Sequence, residues 1–363
     1  MMIYKYDEVR AIHLEITEKC QAACPMCDRN VHGGKDNPNL GMHELSLQDV
    51  QEMMPPEFVK QLERIYMCGN FGDPIVAKDT LEVMQYFRSQ KRELTLGMNT
   101  NAGAKKPEWW RELAKTLGNW SYVKFGFDGL KDTNHLYRQN VNWDIAWENA
   151  VAFIEAGGKA HWDYLIFEHN EHQVEEARAL SEKVGFKKFI PKKTGRFFST
   201  MKQVKKDEHQ AKNRKGAETQ LLQQPKEVKY QNKALDKIKE ITNKHGSLEK
   251  YFDNVQISCK VAAEKNMYIS AEGLILPCCW VAGNMYKWWQ KPGENQVWQL
   301  LQQSGGKDEF DAKKHGIEYV LNNEYFSKRL VDSWNQPNTH AGKPMVCSQK
   351  CGKEFDAFAE QFK

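Results

Sequence analysis

Nine cysteines fall into two groups along this chain of 363 residues, and a single cysteine, Cys68, lies between them. Three are close together at positions 20, 24 and 27, and five occupy the last third of the chain, at positions 259, 278, 279, 347 and 351. The N-terminal sequence has no apolar segment typical of signal peptides, so we expect a reducing, cytoplasmic location. Disulfides are rare in that compartment and would not explain two clusters. We therefore expect these thiols to bind metal, to react as nucleophiles or to be buried.

The first group has the spacing CxxxCxxC, from Cys20 through Cys24 to Cys27. Three thiolates this close can surround one face of a small inorganic cluster, and a [4Fe–4S] cube normally takes four thiolates. With three local ligands, one iron stays open for another molecule. A structural zinc site with a distant fourth ligand is the alternative, but zinc motifs more often pair two CxxC units. The spacing therefore favours an iron–sulfur cluster.

The motif follows residues 11–16, whose alternating apolar side chains predict a β-strand. In this arrangement the chain resembles the radical S-adenosylmethionine (SAM) enzymes, which carry CxxxCxxC after the first strand of a (β/α)6 partial TIM barrel. The resemblance implies that Cys20, Cys24 and Cys27 hold a catalytic [4Fe–4S] cluster and that SAM chelates its open iron. It also implies that the reduced cluster cleaves SAM to a 5′-deoxyadenosyl radical, which takes a hydrogen atom from the substrate. Met26 stands where the family usually has an aromatic residue beside the adenine.

Two later segments resemble the parts of the family that contact the SAM amino group and ribose. Gly72 and Asp73 follow a predicted strand and resemble the Gly-Gly-Glu-Pro segment, where main-chain groups meet the amino group. Glycine there permits a close approach of the backbone. Asn99 and Asn101 end the next predicted strand and resemble the Thr-Asn-Gly segment near the ribose. Their amides suit hydrogen bonds to sugar hydroxyls.

Two arginines are candidates for the SAM carboxylate. Arg138 follows a strand that ends in Asp128 and resembles the family's Tyr-Arg pair, and a guanidinium can hold a carboxylate with two parallel hydrogen bonds. Gly126 replaces the family's usual serine in this strand, and we expect Asp128 to shape the turn. Arg196 follows the last predicted barrel strand, and we expect it to reach SAM or an anionic substrate, or to lie on the surface.

The second group of cysteines contains a predicted β-hairpin. Strand-like segments at 267–270 and 274–277 flank a short turn, and this hairpin brings Cys259 and Cys278 toward one another. Their spacing, Cys-x13-Gly-x4-Cys, resembles the start of the SPASM and Twitch extensions of radical SAM enzymes. A full SPASM extension uses seven cysteines, so the five in this tail favour Twitch, with one auxiliary [4Fe–4S] cluster.

The resemblance gives Cys259, Cys278, Cys347 and Cys351 as the metal ligands of that auxiliary cluster. Cys279 is an alternative to Cys278, because neighbouring side chains on a strand point to opposite sides. A zinc ribbon is the other interpretation of this tail. With four protein ligands this cluster would have no iron open to the substrate and would act as an electron acceptor or conduit. Such a role favours oxidation of a substrate radical.

We predict an α/β fold in three parts. Residues 8–198 form the radical SAM (β/α)6 partial TIM barrel, residues 199–250 a basic helical linker, and residues 251–363 a small α+β Twitch (half-SPASM) domain with the β-hairpin. Residues 201–244 carry a formal charge of +6, against +4 for the whole chain, and contain few aromatics. This composition is typical of a solvated linker, and we expect no nucleic-acid partner.

The function implied is that of a radical SAM oxidoreductase acting on a small polar substrate, such as a sugar, an aminocyclitol or a nucleotide-linked metabolite. Its cofactors are two [4Fe–4S] clusters and SAM, and its expected partner is a reductant such as flavodoxin or ferredoxin. A peptide-modifying radical SAM enzyme and a zinc-bearing nucleic-acid-binding protein are the alternatives. No segment approaches about 18 consecutive apolar residues, so we expect no membrane partner.

Overall fold

Twelve β-strands occur in the residues that the computed structural model describes, 3–199 and 204–356. In chain order the strands are β1 (Ala11–Leu14), β2 (Arg64–Met67), β3 (Thr95–Thr100), β4 (Tyr122–Gly126), β5 (Ala160–Ile166), β6 (Lys188–Lys193), β7 (Phe198–Ser199), β8 (Val204–Lys205), β9 (Glu208–Lys212), β10 (Glu218–Gln223), β11 (Asn266–Ile269) and β12 (Ile275–Leu276). Eight of them form one sheet in the order β12-β11-β1-β2-β3-β4-β5-β6. Strands β1 to β6 are parallel to one another.

Sixteen α-helices occur in the same described part of the chain. In chain order they are α1 (Leu47–Met53), α2 (Pro56–Gln61), α3 (Thr80–Gln90), α4 (Pro107–Leu117), α5 (Asn134–Tyr137), α6 (Trp143–Glu155), α7 (Val174–Val184), α8 (Lys237–His245), α9 (Leu248–Asn254), α10 (Lys260–Ala263), α11 (Cys279–Met285), α12 (Gln296–Gln302), α13 (Ala312–His315), α14 (Ile317–Leu321), α15 (Leu330–Trp334) and α16 (Met345–Cys351). None of the described helices combines the length and the apolar character that crossing a bilayer requires. From β2 to β6 at least one helix separates each strand from the next, which confirms the predicted α/β partial barrel.

The parallel strands present apolar side chains to the helices and polar side chains to the interior of the barrel. On β4, Val123 and Phe125 are fully buried, and the ring of Phe125 packs against Trp110 of α4 and Phe153 of α6. Lys124, which lies between them in the sequence, faces a cavity instead. This alternation follows from the two-residue period of a strand. It leaves the inner face of the sheet free for a polar site.

The tail hairpin predicted from the sequence is confirmed, and it extends the barrel sheet. Strands β11 and β12 pair antiparallel, with Tyr268 opposite Leu276. Strand β11 also pairs in parallel with β1 along its whole length, from Ala11 opposite Asn266 to Leu14 opposite Ile269. All four residues of β11 are buried. The barrel and the tail therefore share one sheet. The predicted domain boundaries, 8–198 and 251–363, remain predictions, and residues 357–363 of the tail lie outside the described residues.

The prediction of a solvated helical linker at 199–250 is wrong for the first half of that segment. Strands β9 and β10 form an antiparallel hairpin there, and α8 is the helix expected near its end. The Lys212 amide at the end of β9 donates a hydrogen bond of 2.8 Å to the His32 carbonyl oxygen, close after the first cysteine group. Because most side chains of the hairpin are polar, its strands lack the apolar alternation by which strands are recognised. Residues 200–203 of the predicted linker lie outside the described residues.

Candidate active site

A cavity of about 630 Å³ lies at the carboxyl ends of the parallel strands, where enzymes with barrel folds place their active sites. Every barrel strand contributes to its wall, either through its last residues or through the loop that follows. The tail closes the cavity on another side with α11 and α16. The sequence-predicted residues of the SAM site that line it are Cys20, Cys24, Met26, Cys27, Gly72, Asp73, Asn99, Asn101, Arg138 and Arg196. The fold therefore brings the whole predicted set to one place.

The loop after β1 turns so that its three cysteines face this cavity. The Cys27 amide donates a hydrogen bond of 3.1 Å to the Cys24 carbonyl oxygen, and the Ala23 amide donates one of 2.9 Å to the Gln139 carbonyl oxygen. Burial raises the pKa of the Cys24 thiol to about 11 and raises the pKa of Cys20 and Cys27 as well. A thiol in such a place becomes a thiolate when a metal compensates the charge.

The thiols are spaced more widely than the ligands of a single tetrahedral ion. A tetrahedral zinc site with Zn–S bonds of about 2.3 Å holds its sulfur atoms about 3.8 Å apart. Among the described residues, which include all nine cysteines, no three thiols place their sulfur atoms within 4.8 Å of one another. A [4Fe–4S] cube is larger than an ion and accepts thiolates at its corners. The donor set at Cys20, Cys24 and Cys27 therefore fits the cluster that the sequence predicts.

A buried carboxyl group holds the loop that contains Gly72. Oε1 of Glu15, at the end of β1, accepts hydrogen bonds from the amides of Phe71 at 2.7 Å and Gly72 at 3.1 Å. The Glu15 carboxyl also accepts a hydrogen bond from the Tyr268 hydroxyl on β11. A Cβ at Gly72 would collide with the Thr17 carbonyl oxygen, so the close approach requires glycine. Burial raises the pKa of Glu15 to about 7.

Asp73 and Asn101 form one unit beside the cysteine loop. Oδ2 of Asp73 accepts hydrogen bonds from the Asn101 amide at 2.7 Å and from its side-chain Nδ2 at 2.6 Å. The same Nδ2 lies 3.6 Å from the Cys20 sulfur, and Gln21 donates a hydrogen bond of 2.6 Å to Asn101 Oδ1. Asn99 points elsewhere in the cavity, where its Nδ2 lies 3.1 Å from the Cys68 sulfur.

Arg138 lies inside the cavity and not on the surface. Its Nε donates a hydrogen bond of 2.6 Å to Oδ2 of Asp128, which is fully buried, and its Nη1 lies 4.0 Å from the Cys24 sulfur. Oδ1 of Asp128 accepts a hydrogen bond of 2.7 Å from the Leu165 amide. A side chain at Gly126 would collide with the guanidinium. The glycine that replaces the family's serine therefore makes room for Arg138.

Arg196 reaches the same region from the loop after β6. Its Nη1 donates a hydrogen bond of 2.8 Å to the carbonyl oxygen of Met26, and both residues line the cavity. Arg196 thus lines the cavity and is also exposed to solvent.

The four predicted auxiliary ligands, Cys259, Cys278, Cys347 and Cys351, line a second, smaller cavity. The thiols of Cys259 and Cys351 lie within hydrogen-bonding distance of each other. Cys279 lines the main cavity instead. Cys278 is the residue before α11 and Cys279 is its first residue, so the helix start directs the two thiols into different cavities. This placement favours Cys278 over Cys279 as the ligand.

Sequence reasoning missed several polar residues on the walls of the main cavity. Cys68, which lies outside both cysteine groups in the sequence, faces this cavity. Lys124 on β4, Asp163 on β5 and Lys192 on β6 face it too. A lysine or aspartate at an inward position of a predicted barrel strand was the signal that could have identified them, because such positions usually carry branched apolar residues.

Comparisons with known proteins agree with this architecture. No family model and no curated protein matches the chain. SuiB of Streptococcus suis, solved with bound S-adenosylmethionine, aligns over 93% of this chain and 76% of its own, at 13% identity and a TM-score of 0.50. Native anSMEcpe, solved with bound AdoMet, aligns over 97% of this chain and 93% of its own, at 12% identity and a TM-score of 0.51.

Identities this low carry information about the fold and none about the substrate. Both similar structures contain bound SAM, and the partial-barrel architecture that the CxxxCxxC resemblance implied is the one observed. The chain therefore shares the fold of these two proteins, with its three-cysteine motif on the loop after the first barrel strand.

Proposed function

We propose that this protein is a radical SAM enzyme that cleaves SAM reductively and abstracts a hydrogen atom from a small polar substrate. The observation that carries the proposal is the convergence of the three-cysteine loop and the predicted SAM-binding residues on one cavity at the carboxyl ends of the strands. The similar solved structures contain bound SAM, which supports SAM as the cofactor here.

The residues of the site have separate tasks in this proposal. Cys20, Cys24 and Cys27 hold a [4Fe–4S] cluster, which supplies one electron for cleavage of the SAM sulfonium when both are bound. Arg138 is held by Asp128 and offers its remaining N–H groups to the SAM carboxylate. Backbone groups at Gly72, in the loop that Glu15 holds, meet the amino group.

The auxiliary cysteines support an oxidative reaction. A substrate radical on the carbon that bears a hydroxyl group becomes a carbonyl when it loses one electron and the hydroxyl proton. An auxiliary [4Fe–4S] cluster on Cys259, Cys278, Cys347 and Cys351 would accept that electron. Trp280 lines both cavities, so one layer of side chains separates the two sites. We further propose a low-potential electron donor such as flavodoxin or ferredoxin as the reducing partner and the cytoplasm as the compartment.

Iron content and SAM cleavage test this function directly. After anaerobic reconstitution we expect about eight irons per chain and an absorbance band at about 400 nm. The variant with Cys20, Cys24 and Cys27 changed to alanine should keep about four irons and form no 5′-deoxyadenosine with dithionite. The proposal fails if the triple variant still cleaves SAM. A colourless protein that binds zinc would instead support the nucleic-acid-binding alternative.

A further inference from the structure

The inner face of the barrel carries charged side chains in the same cavity as the predicted SAM-binding residues. Lys124 lies on β4 two residues before Gly126, over which the Arg138 guanidinium sits. Two residues of strand correspond to about 6.6 Å. Lys124 therefore lies deeper in the barrel than Arg138, although both line the same cavity.

Lys124 has no carboxylate at ion-pair distance among the described residues. Its Nζ lies 5.6 Å from the centre of the Tyr122 ring, and its charge acts on the nearby Cys68 thiol. A partly buried ammonium group without a carboxylate is costly unless water or a ligand compensates it.

A second lysine lines the same cavity. Lys192 on β6 forms an ion pair with Oδ2 of Asp163 on β5, and the lysine and aspartate side chains are only 13% and 10% exposed. Oδ1 of Asp163 is buried and accepts no hydrogen bond from the described residues. Buried polar atoms without partners are rare, and a hydrogen-bond donor on a ligand would satisfy this one.

A structural role does not explain the charged side chains of Lys124, Asp163 and Lys192. Barrel interiors are usually filled by branched apolar side chains, and buried ion pairs stabilise a fold little compared with such packing. The other carboxylates of the cavity are engaged elsewhere: Asp128 by Arg138, Asp28 by Lys287, and Asp73 by Asn101. None of them neutralises Lys124.

From these contacts we infer that the substrate carries a carboxylate or phosphate group that binds between Lys124 and Lys192, and a hydroxyl or amino group that donates to Asp163. This inference rests on the proposed function, because it places the substrate beneath SAM in the same cavity. It narrows the substrate to small hydroxylated or amino-substituted anions. Lys124 and Lys192 favour such anions over a neutral sugar.

The test is an anaerobic calorimetric titration of the reconstituted enzyme in the presence of SAM and without reductant. Inorganic phosphate and acetate are titrated separately, with ionic strength held constant by potassium chloride. We expect a saturable site for at least one of the two ions, and the stronger binder distinguishes a phosphate from a carboxylate substrate. Lys124→Gln and Lys192→Gln should each weaken this binding about ten- to a hundred-fold, as the loss of a charged hydrogen bond does.

Matched variants keep the result interpretable. Lys131→Gln removes an exposed lysine that pairs with Asp144 and should leave anion binding unchanged. Lys192→Arg keeps the charge and should retain most of the anion binding.

Absence of a saturable site for both ions, or wild-type binding in both lysine-to-glutamine variants, would overturn the inference. If SAM is cleaved and neither ion binds, only this inference fails. If an ion binds and SAM is not cleaved, the anion site stands and the proposed function fails.

Discussion

Single residues in this site are held by neighbours on other elements of the fold. Arg138 depends on Asp128 for its orientation and on the missing side chain at Gly126 for its space. Glu15 accepts the amides of the Gly72 loop, although 56 residues separate it from Phe71. Contacts between strand ends thus set the chemistry of each group. The effect of a substitution at each group can therefore be measured by itself.

Arg138→Lys should weaken SAM binding, because an ammonium cannot reproduce the planar fork of a guanidinium. The loss of one charge-assisted hydrogen bond costs roughly 1.5–3 kcal/mol, or about ten- to a hundred-fold in affinity. SAM titration measures the effect, and iron content should be unchanged. Arg111→Lys, on the exposed side of α4, is the matched control. Equal SAM affinity in a fully loaded Arg138→Lys variant would mean that the carboxylate is held elsewhere, with Arg196 the next candidate.

Cys278→Ala and Cys279→Ala should differ in iron content, although the residues are adjacent. Cys278 lines the auxiliary cavity, so its removal should lower the iron content from about eight toward about four per chain. Cys279 lines the main cavity, so its removal should leave about eight. Iron analysis after identical anaerobic reconstitution decides the matter. The reverse pattern would make Cys279 the ligand.

Glu15→Gln should make the stability of the protein less dependent on pH. Burial raises the pKa of Glu15 from 4.5 to about 7, so the fold favours the protonated carboxyl. The stabilisation is fully present below about pH 4.5 and is lost as the pH rises through about 7. A rise of this size corresponds to about 3 kcal/mol. Urea unfolding between about pH 5 and 8 should therefore show a smaller fall in the free energy of unfolding for the glutamine variant, and an equal fall would contradict the assignment.

Among the elements, the β9–β10 hairpin has the least expected position. It lies against the loop that carries the three cysteines, where His209 of β9 is 3.1 Å from the Pro25 carbonyl oxygen and Arg214 donates a hydrogen bond of 3.1 Å to Asn30. The segment that composition assigned to a linker thus covers one side of the predicted cluster site. Its basic side chains pair with the cysteine loop and its surroundings.

Gly33→Ala should loosen this contact, and Gly216→Ala should not. Both glycines have positive φ, +86° and +85°, so alanine costs about 1–3 kcal/mol in backbone strain at either position. At Gly33 the added Cβ would also lie 2.9 Å from the Ala23 carbonyl oxygen and 3.0 Å from that of Lys212, whereas nothing lies within 4 Å at Gly216. We expect faster loss of iron to a chelator in Gly33→Ala only. Equal rates in the two variants would show that the hairpin does not protect the cluster loop.

At the scale of the whole molecule, the tail completes the barrel. Strand β11 joins the sheet beside β1, and α11 and α16 close the mouth of the main cavity. Asn70, in the loop after β2, donates a hydrogen bond of 2.6 Å to the Cys279 carbonyl oxygen at the start of α11. The two predicted cluster sites are therefore held by one continuous structure.

This sharing predicts that barrel and tail open together. Hydrogen exchange in increasing urea should give the same opening free energy for β1 and β11, because each residue of β1 pairs with one of β11. Strands β9 and β10 form a separate two-stranded sheet and should open at lower free energy, which provides the internal comparison. Mass spectrometry of the corresponding peptides measures both. Independent opening of β11 would show that the tail is a separate folding unit.

The sequence by itself determined the features that depend on near neighbours. The CxxxCxxC loop, the alternation of the barrel strands and the tail hairpin each arise within about 20 residues, where spacing and turn chemistry decide the conformation. The SAM-site candidates followed from the resemblance of short motifs at the predicted strand ends to those of the radical SAM enzymes.

Only the tertiary structure decided which side chains share a space. Cys278 and Cys279 separate because of the direction in which α11 starts, and Arg138 enters the site because Gly126 leaves room on another element. Lys124 and Asp163 face one cavity because of the register between β4 and β5, in which Gly126 lies opposite Asp163. These outcomes depend on how separate elements pack against one another, and local residue preferences carry no information about that packing.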